Sequence, residues 1–182
     1  MKDCYTAVLK GHIALATLII PETTVGSRID SVARLSLWRC GLDYNHGTGH
    51  GVGAYLNVHE GPQGIGSRKR ENEVGFYEGM TISNEPGYYE DGAFGIRIEN
   101  VCVTVPAATA YNFGGKKFLQ FETVTMTPIK KNLINIDMLT EGEISWLNNY
   151  HDIVRRSLSP MMATYFPESV DYLIRETEPI AK

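Results

Sequence analysis

Asn84-Glu85-Pro86-Gly87-Tyr88-Tyr89-Glu90-Asp91-Gly92-Ala93-Phe94-Gly95-Ile96-Arg97-Ile98-Glu99-Asn100 reads as two strand-forming arms around a turn. Glu90-Asp91-Gly92-Ala93 supplies the turn chemistry. A three-residue loop at 91–93 pairs Glu90 with Phe94, and stepping outward in that register brings Glu85 opposite Glu99. Their Cβ atoms would then stand roughly 5 Å apart on one face of the ladder. Like charges so placed repel each other, and a cation or a shared proton is needed between them. Pro86-Gly87 interrupts the pattern, and a loop one residue longer or shorter turns the two acids to opposite faces.

Upstream lie His46-Gly-Thr-Gly-His50-Gly-Val-Gly and Val58-His59-Glu60-Gly61-Pro62, three imidazoles within fourteen positions. The glycines among them allow backbone and small ligands to approach closely. Imidazole and carboxylate together suggest a metal site. The Gly-Thr-Gly between His46 and His50 speaks against the helical His-Glu-x-x-His zinc motif. A dinucleotide fingerprint also fails, because its last glycine position falls on Val52 or Ala54. From these residues alone two readings stay open. One is a converging ligand cluster; the other is a set of satisfied polar histidines and unrelated surface acids.

The remainder of the chain sets the frame. Its 182 residues, 43% hydrophobic and 21% charged, suit one domain with a sizeable core. A net charge of −4 gives no general attraction to nucleic acid or anionic lipid. Arg68-Lys69-Arg70, followed by Glu71 and Glu73, reads as a solvated loop. No apolar run approaches the ~18 residues of a membrane span, and the start of the chain lacks a signal-peptide core. Cys4, Cys40 and Cys102 are odd in number and widely spaced, which indicates no disulfide framework. A reducing, cytoplasmic setting is expected. Cys40 and Cys102 read as inert buried thiols, and Phe113, Phe118, Phe121 and the Tyr150-His151 pair as packing residues.

Apolar positions from Tyr5 to Ile19 predict a helix ending before Pro21, and 29–39 a second helix, capped by Ser27 and stopped by Gly41. Strands are expected at 80–84, 96–105 and 118–129. Thr140-Glu-Gly-Glu143 is a capping box opening a helix that Ser159-Pro160 should end, and 169–175 forms a last short helix. Two helices, a sheet-rich middle and terminal helices make the class α+β.

The quoted motifs, in this order and spacing, closely resemble the Xaa-Pro aminopeptidases (aminopeptidase P, peptidase family M24), most of all the cytosolic eukaryotic type. The likeness runs from Val8-Leu-Lys-Gly-His-Ile-Ala to Leu173-Ile-Arg-Glu-Thr-Glu-Pro-Ile. It implies part of a pita-bread catalytic domain, a mixed or antiparallel sheet with flanking helices. It places a C-terminal portion of that domain at 1–130 and a helical extension packed on it at 131–182. It implies a hydrolase that removes the N-terminal residue from peptides with proline in second position, using a metal-activated water between two Mn²⁺ ions, with Zn or Co feasible. Carried over by motif, His50, Glu85 and Glu99 are metal ligands, with Glu99 bridging. His46 borders the substrate pocket, His59 binds substrate and shuttles protons, Arg97 orients the bridging acid, and Tyr89 contacts substrate. A homodimer is implied for the full-length enzyme.

One departure stands out. The family takes two further aspartate ligands from a region upstream of the first helix, and Asp3, Asp30 and Asp43 do not match them. The chain therefore reads as the C-terminal part of a catalytic domain, expected to cleave negligibly by itself. The competing reading is a non-catalytic peptide- or protein-binding module of the same fold.

Overall fold

The computed structural model describes residues 1–69 and 71–182. They form two compact units, one of Ala7–Thr125 and one of Met1–Thr6 with Met126–Lys182. In chain order the elements are α1 (Lys2–Ala16), β1 (Ile20–Pro21), α2 (Asp30–Trp38), β2 (Gly49–His50), β3 (Gly64–Ile65), β4 (Thr81–Asn84), β5 (Gly87–Glu90), β6 (Phe94–Arg97), β7 (Asn100–Pro106), β8 (Phe118–Thr123), α3 (Glu141–Tyr165) and α4 (Val170–Glu176).

The first unit is built on an antiparallel sheet of order β1-β8-β7-β4, with two-stranded ribbons β2-β3 and β5-β6. The hairpin keeps the register expected from its turn. Glu90 pairs with Phe94 and Gly87 with Arg97 in one ladder, and Asn84 pairs with Asn100 in the other. Between the ladders, Glu85-Pro86 and Ile98-Glu99 leave regular pairing. Pro86 has no N–H to donate, and only its carbonyl is used, by Ile98 N–H at 3.3 Å. Alternation puts Ile82 and Asn84 with Cys102 and Asn100 on one face, and Ser83 and Glu85 with Val101 and Glu99 on the other.

The first face belongs to the core, where Leu15, Ala33, Phe76, Ile82, Cys102 and Leu119 are all buried. Two glycines permit close approach of backbones. A Cβ on Gly11 would stand 2.0 Å from the Ala33 carbonyl oxygen, so α1 and α2 touch through bare backbone. A Cβ on Gly49 would stand 2.0 Å from the Ser83 carbonyl oxygen, so β2 can lie directly against β4.

Several local expectations need correction. α1 ends at Ala16, because Ile20–Pro21 is taken up as an edge strand against β8, where a proline is tolerated. Ser27 does not cap α2. Its N–H and Oγ both donate to Glu73 at 2.7 Å, and it lies in a 3-10 turn before Asp30. Gly41 does stop α2, at φ +73, with Gly41 N–H on the Trp38 carbonyl and Leu42 N–H on the Leu37 carbonyl, both at 3.0 Å. β8 ends at Thr123, short of residue 129. Cys40 is exposed at the end of α2, whereas Cys102 is buried and its thiol pKa is raised by that burial. Phe113 is 79% exposed and packs no core. Arg68 and Lys69 are exposed, as a solvated loop requires; Arg70, the third residue of that basic cluster, lies outside the described residues.

In the second unit α3 opens with the expected capping box between Thr140 and Glu143. It buries Ile144, Leu147, Tyr150, His151 and Val154 on one face. The helix does not end at Pro160 but continues to Tyr165. The proline removes one intrahelical donor, while Ser159 Oγ bonds the Arg155 carbonyl at 2.7 Å and Thr164 Oγ1 the Pro160 carbonyl at 3.0 Å. His151 Nε2 accepts the Ile129 N–H at 3.0 Å, and Tyr150 Oη donates to the Thr127 carbonyl at 2.7 Å, which ties the extended segment after β8 to the helix. Among the described residues no helix is long and apolar enough to cross a membrane.

Candidate metal centre

The site lies on the second face of the sheet, in the first unit. His50 is carried there by β2, whose approach Gly49 makes possible, and its N–H donates to Ser83 Oγ at 2.9 Å. Glu85 is anchored by its N–H to the Thr48 carbonyl at 2.8 Å and by Ser83 Oγ, which donates to its Oε1 at 3.0 Å. Ser83 thus joins both residues, a role that sequence patterning does not reveal. Glu99 approaches from the start of β7. Ligand atoms of His50, Glu85 and Glu99 all lie within 4.8 Å of one another. Glu85 is buried, His50 half-buried and Glu99 exposed.

The chemistry of this donor set suits a divalent ion. His50 Nδ1 lies 3.0 Å from the Gly51 carbonyl oxygen, a partner that needs a donor, so the proton belongs on Nδ1. That leaves the Nε2 lone pair facing Glu85 Oε1 at 3.2 Å. Two acceptors at that distance need a cation or a proton between them. A backbone carbonyl fixing the far ring nitrogen is the usual support of a metal-binding histidine. One imidazole and two carboxylates fit Mn²⁺, Zn²⁺ or Co²⁺.

Around the cluster is an open cavity of about 800 Å³, with His46, His59 and Arg97 in its lining. The His59 ring lies 4.1 Å from that of His50. His46 stands away from the three acceptors, in a chain of its own. Arg97 Nε donates to Tyr89 Oη at 2.9 Å, so the Tyr89 hydroxyl is free to donate to His46 Nε2, also at 2.9 Å. His46 Nδ1 then donates to the Gly47 carbonyl at 2.7 Å. Arg97 Nη1 pairs with Glu85 Oε2 at 3.4 Å, where the motif led us to expect Glu99. Burial weakens the Arg97 charge, but Tyr89 and the carboxylates of Glu85 and Glu99 outweigh it and raise its pKa.

In the cavity wall Arg34 holds the 43–48 loop. All five guanidinium donors are used: Nε and Nη2 on Asp30 at 2.7 and 3.3 Å, Nη1 on Asp43 and the Tyr44 carbonyl at 2.8 and 2.6 Å, and Nη2 on the His46 carbonyl at 2.7 Å. Its carbon sits 3.8 Å over the Tyr44 ring. Asp30 also accepts from Thr48 Oγ1 at 2.5 Å. Asp30 and Asp43 are therefore spent on Arg34. The i, i+4 spacing of Asp30 and Arg34 on a predicted helix was the available signal for this pair; the remaining partners are not close in any periodic sense.

Comparison with known proteins settles the family. Residues 1–106 match metallopeptidase family M24, and 117–180 match the C-terminal region of the M24 peptidases. The chain belongs to metallopeptidase family M24. It is 53% identical over 176 residues to a probable Xaa-Pro aminopeptidase P of Coprinopsis cinerea, 97% of this chain and 28% of that protein. It is 49% identical over 180 residues to aminopeptidase P1 of Arabidopsis thaliana, 99% of this chain and 27% of that protein. Among solved structures it resembles the X-prolyl aminopeptidase of Caenorhabditis elegans, described as a cytosolic enzyme with a di-nuclear active site. There the TM-score is 0.91 at 40% identity, covering 98% of this chain and 29% of that one. The architecture is accordingly the pita-bread arrangement of M24, α+β in class. The M24 chain described here spans less than a third of the length of these relatives.

Proposed function

We propose that this M24 protein is a metal-dependent aminopeptidase that removes the N-terminal residue from peptides with proline in second position. The observation that carries this reading is the convergence of His50, Glu85 and Glu99 within 4.8 Å. The names of the relatives supply the substrate class. In this reading His50, Glu85 and Glu99 would hold the divalent metal, a donor set suited to Mn²⁺, with Zn²⁺ or Co²⁺ as alternatives. Residues 1–130 carry the catalytic part and 131–182 a C-terminal helical extension. The protein works as a homodimer in the cytoplasm.

Bound there, divalent metal would supply an activated water and polarise the scissile carbonyl. The chain's own residues do the rest. His59 faces the peptide from beside His50 and exchanges a proton with the leaving nitrogen. His46, oriented by its bonds to the Tyr89 hydroxyl and the Gly47 carbonyl, presents an imidazole edge to the N-terminal side of the substrate. Arg97 holds Glu85 in place through their ion pair and fixes the Tyr89 hydroxyl.

The test is cleavage of Arg-Pro-Pro by the intact natural protein, with Glu85→Gln and Glu99→Gln beside it. Either substitution should lower kcat/KM by more than about 100-fold, beyond the loss expected from an outer-shell partner. Chelator should do the same to the unaltered protein. Undiminished cleavage in chelator, or equal cleavage of Arg-Ala-Pro, overturns the proposal.

A further inference from the structure

On the far face of the sheet from the candidate metal centre lies a buried histidine that the reaction does not touch. His12, fully buried in α1, has its Nε2 3.1 Å from Asn100 Nδ2, and its backbone carbonyl accepts Asn84 Nδ2 at 2.9 Å. Asn84 and Asn100 form the last regular pair of the β4–β7 ladder, and each is almost wholly buried. The residues immediately beyond them are Glu85 and Glu99.

Regular pairing ceases just where the two acids must be held against their mutual repulsion. Behind the last backbone pair, His12 also links the two strands, its backbone carbonyl to Asn84 Nδ2 and its ring Nε2 to Asn100 Nδ2. An Asn100 amide that donates requires an accepting, neutral Nε2. Burial keeps the ring neutral, lowering its pKa to about 4 against the pull of the Ile98 and Asn84 backbone. Gly11 lets α1 press onto α2 at the neighbouring position.

We propose that His12 is a positioning residue which, from behind the sheet and through Asn84 and Asn100, sets the separation of the Glu85 and Glu99 carboxylates. The proposal rests on the metal-binding reading of those two acids. It assigns α1 a part in metal affinity although no α1 side chain reaches the cavity lining. Outer-shell partners of this kind are worth 10–100-fold in affinity.

The experiment measures Mn²⁺ dissociation constants by calorimetry, the absorption spectrum of the Co²⁺-loaded protein, and Tm, all in the intact protein. The variants are His12→Leu, His12→Gln, His151→Leu and Glu85→Gln. Glutamine places an amide oxygen near the position of imidazole Nε2 and can accept from Asn100. His12→Leu should weaken Mn²⁺ binding by about 10–100-fold and alter the Co²⁺ spectrum. His12→Gln should recover most of both, and His151→Leu should lower Tm without moving either. Should His12→Leu not yield folded protein, Asn100→Ser cuts the same bridge from its other end and is read identically. If His12→Leu binds Mn²⁺ as tightly as His151→Leu while Glu85→Gln has lost it, the positioning role is overturned and the metal site stands. If Glu85→Gln binds as well as the unaltered protein, the metal-site reading fails and the proposal fails with it.

Discussion

His12 and His151 are the same group put to different uses in the two units of the chain. Both are fully buried, and burial holds the pKa of each down to about 4. His151 accepts one backbone N–H, that of Ile129, while its Nδ1 has no partner. Its work ends at that amide, which fastens an extended segment to α3. His12 accepts a side chain whose neighbour is a candidate ligand, and its own carbonyl holds a second side chain of the same kind. Removing either histidine costs packing. Only at His12 does the bond partner lie one residue from a charge that must be placed. The importance of a buried polar group for function is thus read from what it holds, not from its burial.

The largest further effect should come from the polar interior of the sheet-bearing unit. Arg34→Met leaves Asp30 buried without its counter-charge and releases the carbonyls of Tyr44 and His46. Breaking a buried pair from one side costs about 3–5 kcal/mol. Urea unfolding of the variant should show a loss of that size, with the cavity probed in parallel by KM. A loss below 1 kcal/mol would show that the 43–48 loop stands without its arginine.

Next comes the acid response, which the two histidines should share. An unfolded chain takes up a proton on each near pH 6.5, whereas the folded protein resists until about pH 4. The unfolded state therefore binds more protons in that window. Stability falls as pH drops from 6.5 towards 4, by up to about 3 kcal/mol for each histidine. Urea midpoints at pH 7 and 4.5 measure this. His151→Leu should flatten the dependence by about one proton; an unchanged slope would mean that this histidine is already protonated in the fold.

The smallest effect belongs to the helical unit alone. Thr140→Ala removes the side chain that accepts the Glu143 N–H and disturbs the reciprocal bond from the Thr140 N–H to Glu143. A loss of about 1 kcal/mol is expected. Mn²⁺ affinity should not change, and a change would show that the two units are less independent in function than the comparison supposes.

The hairpin was legible because a turn and an alternating pattern count residues without ambiguity. Once 91–93 is the loop, the pairing of Asn84 with Asn100 follows, and with it the meeting of Glu85 and Glu99. The capping box at Thr140 and the glycine stop at Gly41 were legible for the same reason, being rules that act within a few residues. Ser27 misled because its hydroxyl had a better acceptor 46 positions away, in Glu73. Pro160 misled because a proline removes only one hydrogen bond from a helix, and α3 continues past it to Tyr165.

By itself the amino-acid sequence determined the register of the acids, the glycine-lined setting of the histidines and the kinship with the M24 peptidases. Those are properties of local stereochemistry and of side chains repeated in order. Only the tertiary structure decided that Ser83 joins His50 to Glu85, that Arg97 pairs with Glu85, that Asp30 and Asp43 are consumed by Arg34, and that His12 stands behind both acids. Each of these is a hydrogen bond or ion pair whose partners are chosen by the packing of helices on a sheet. Such choices depend on distance in space, and linear spacing carries no record of it.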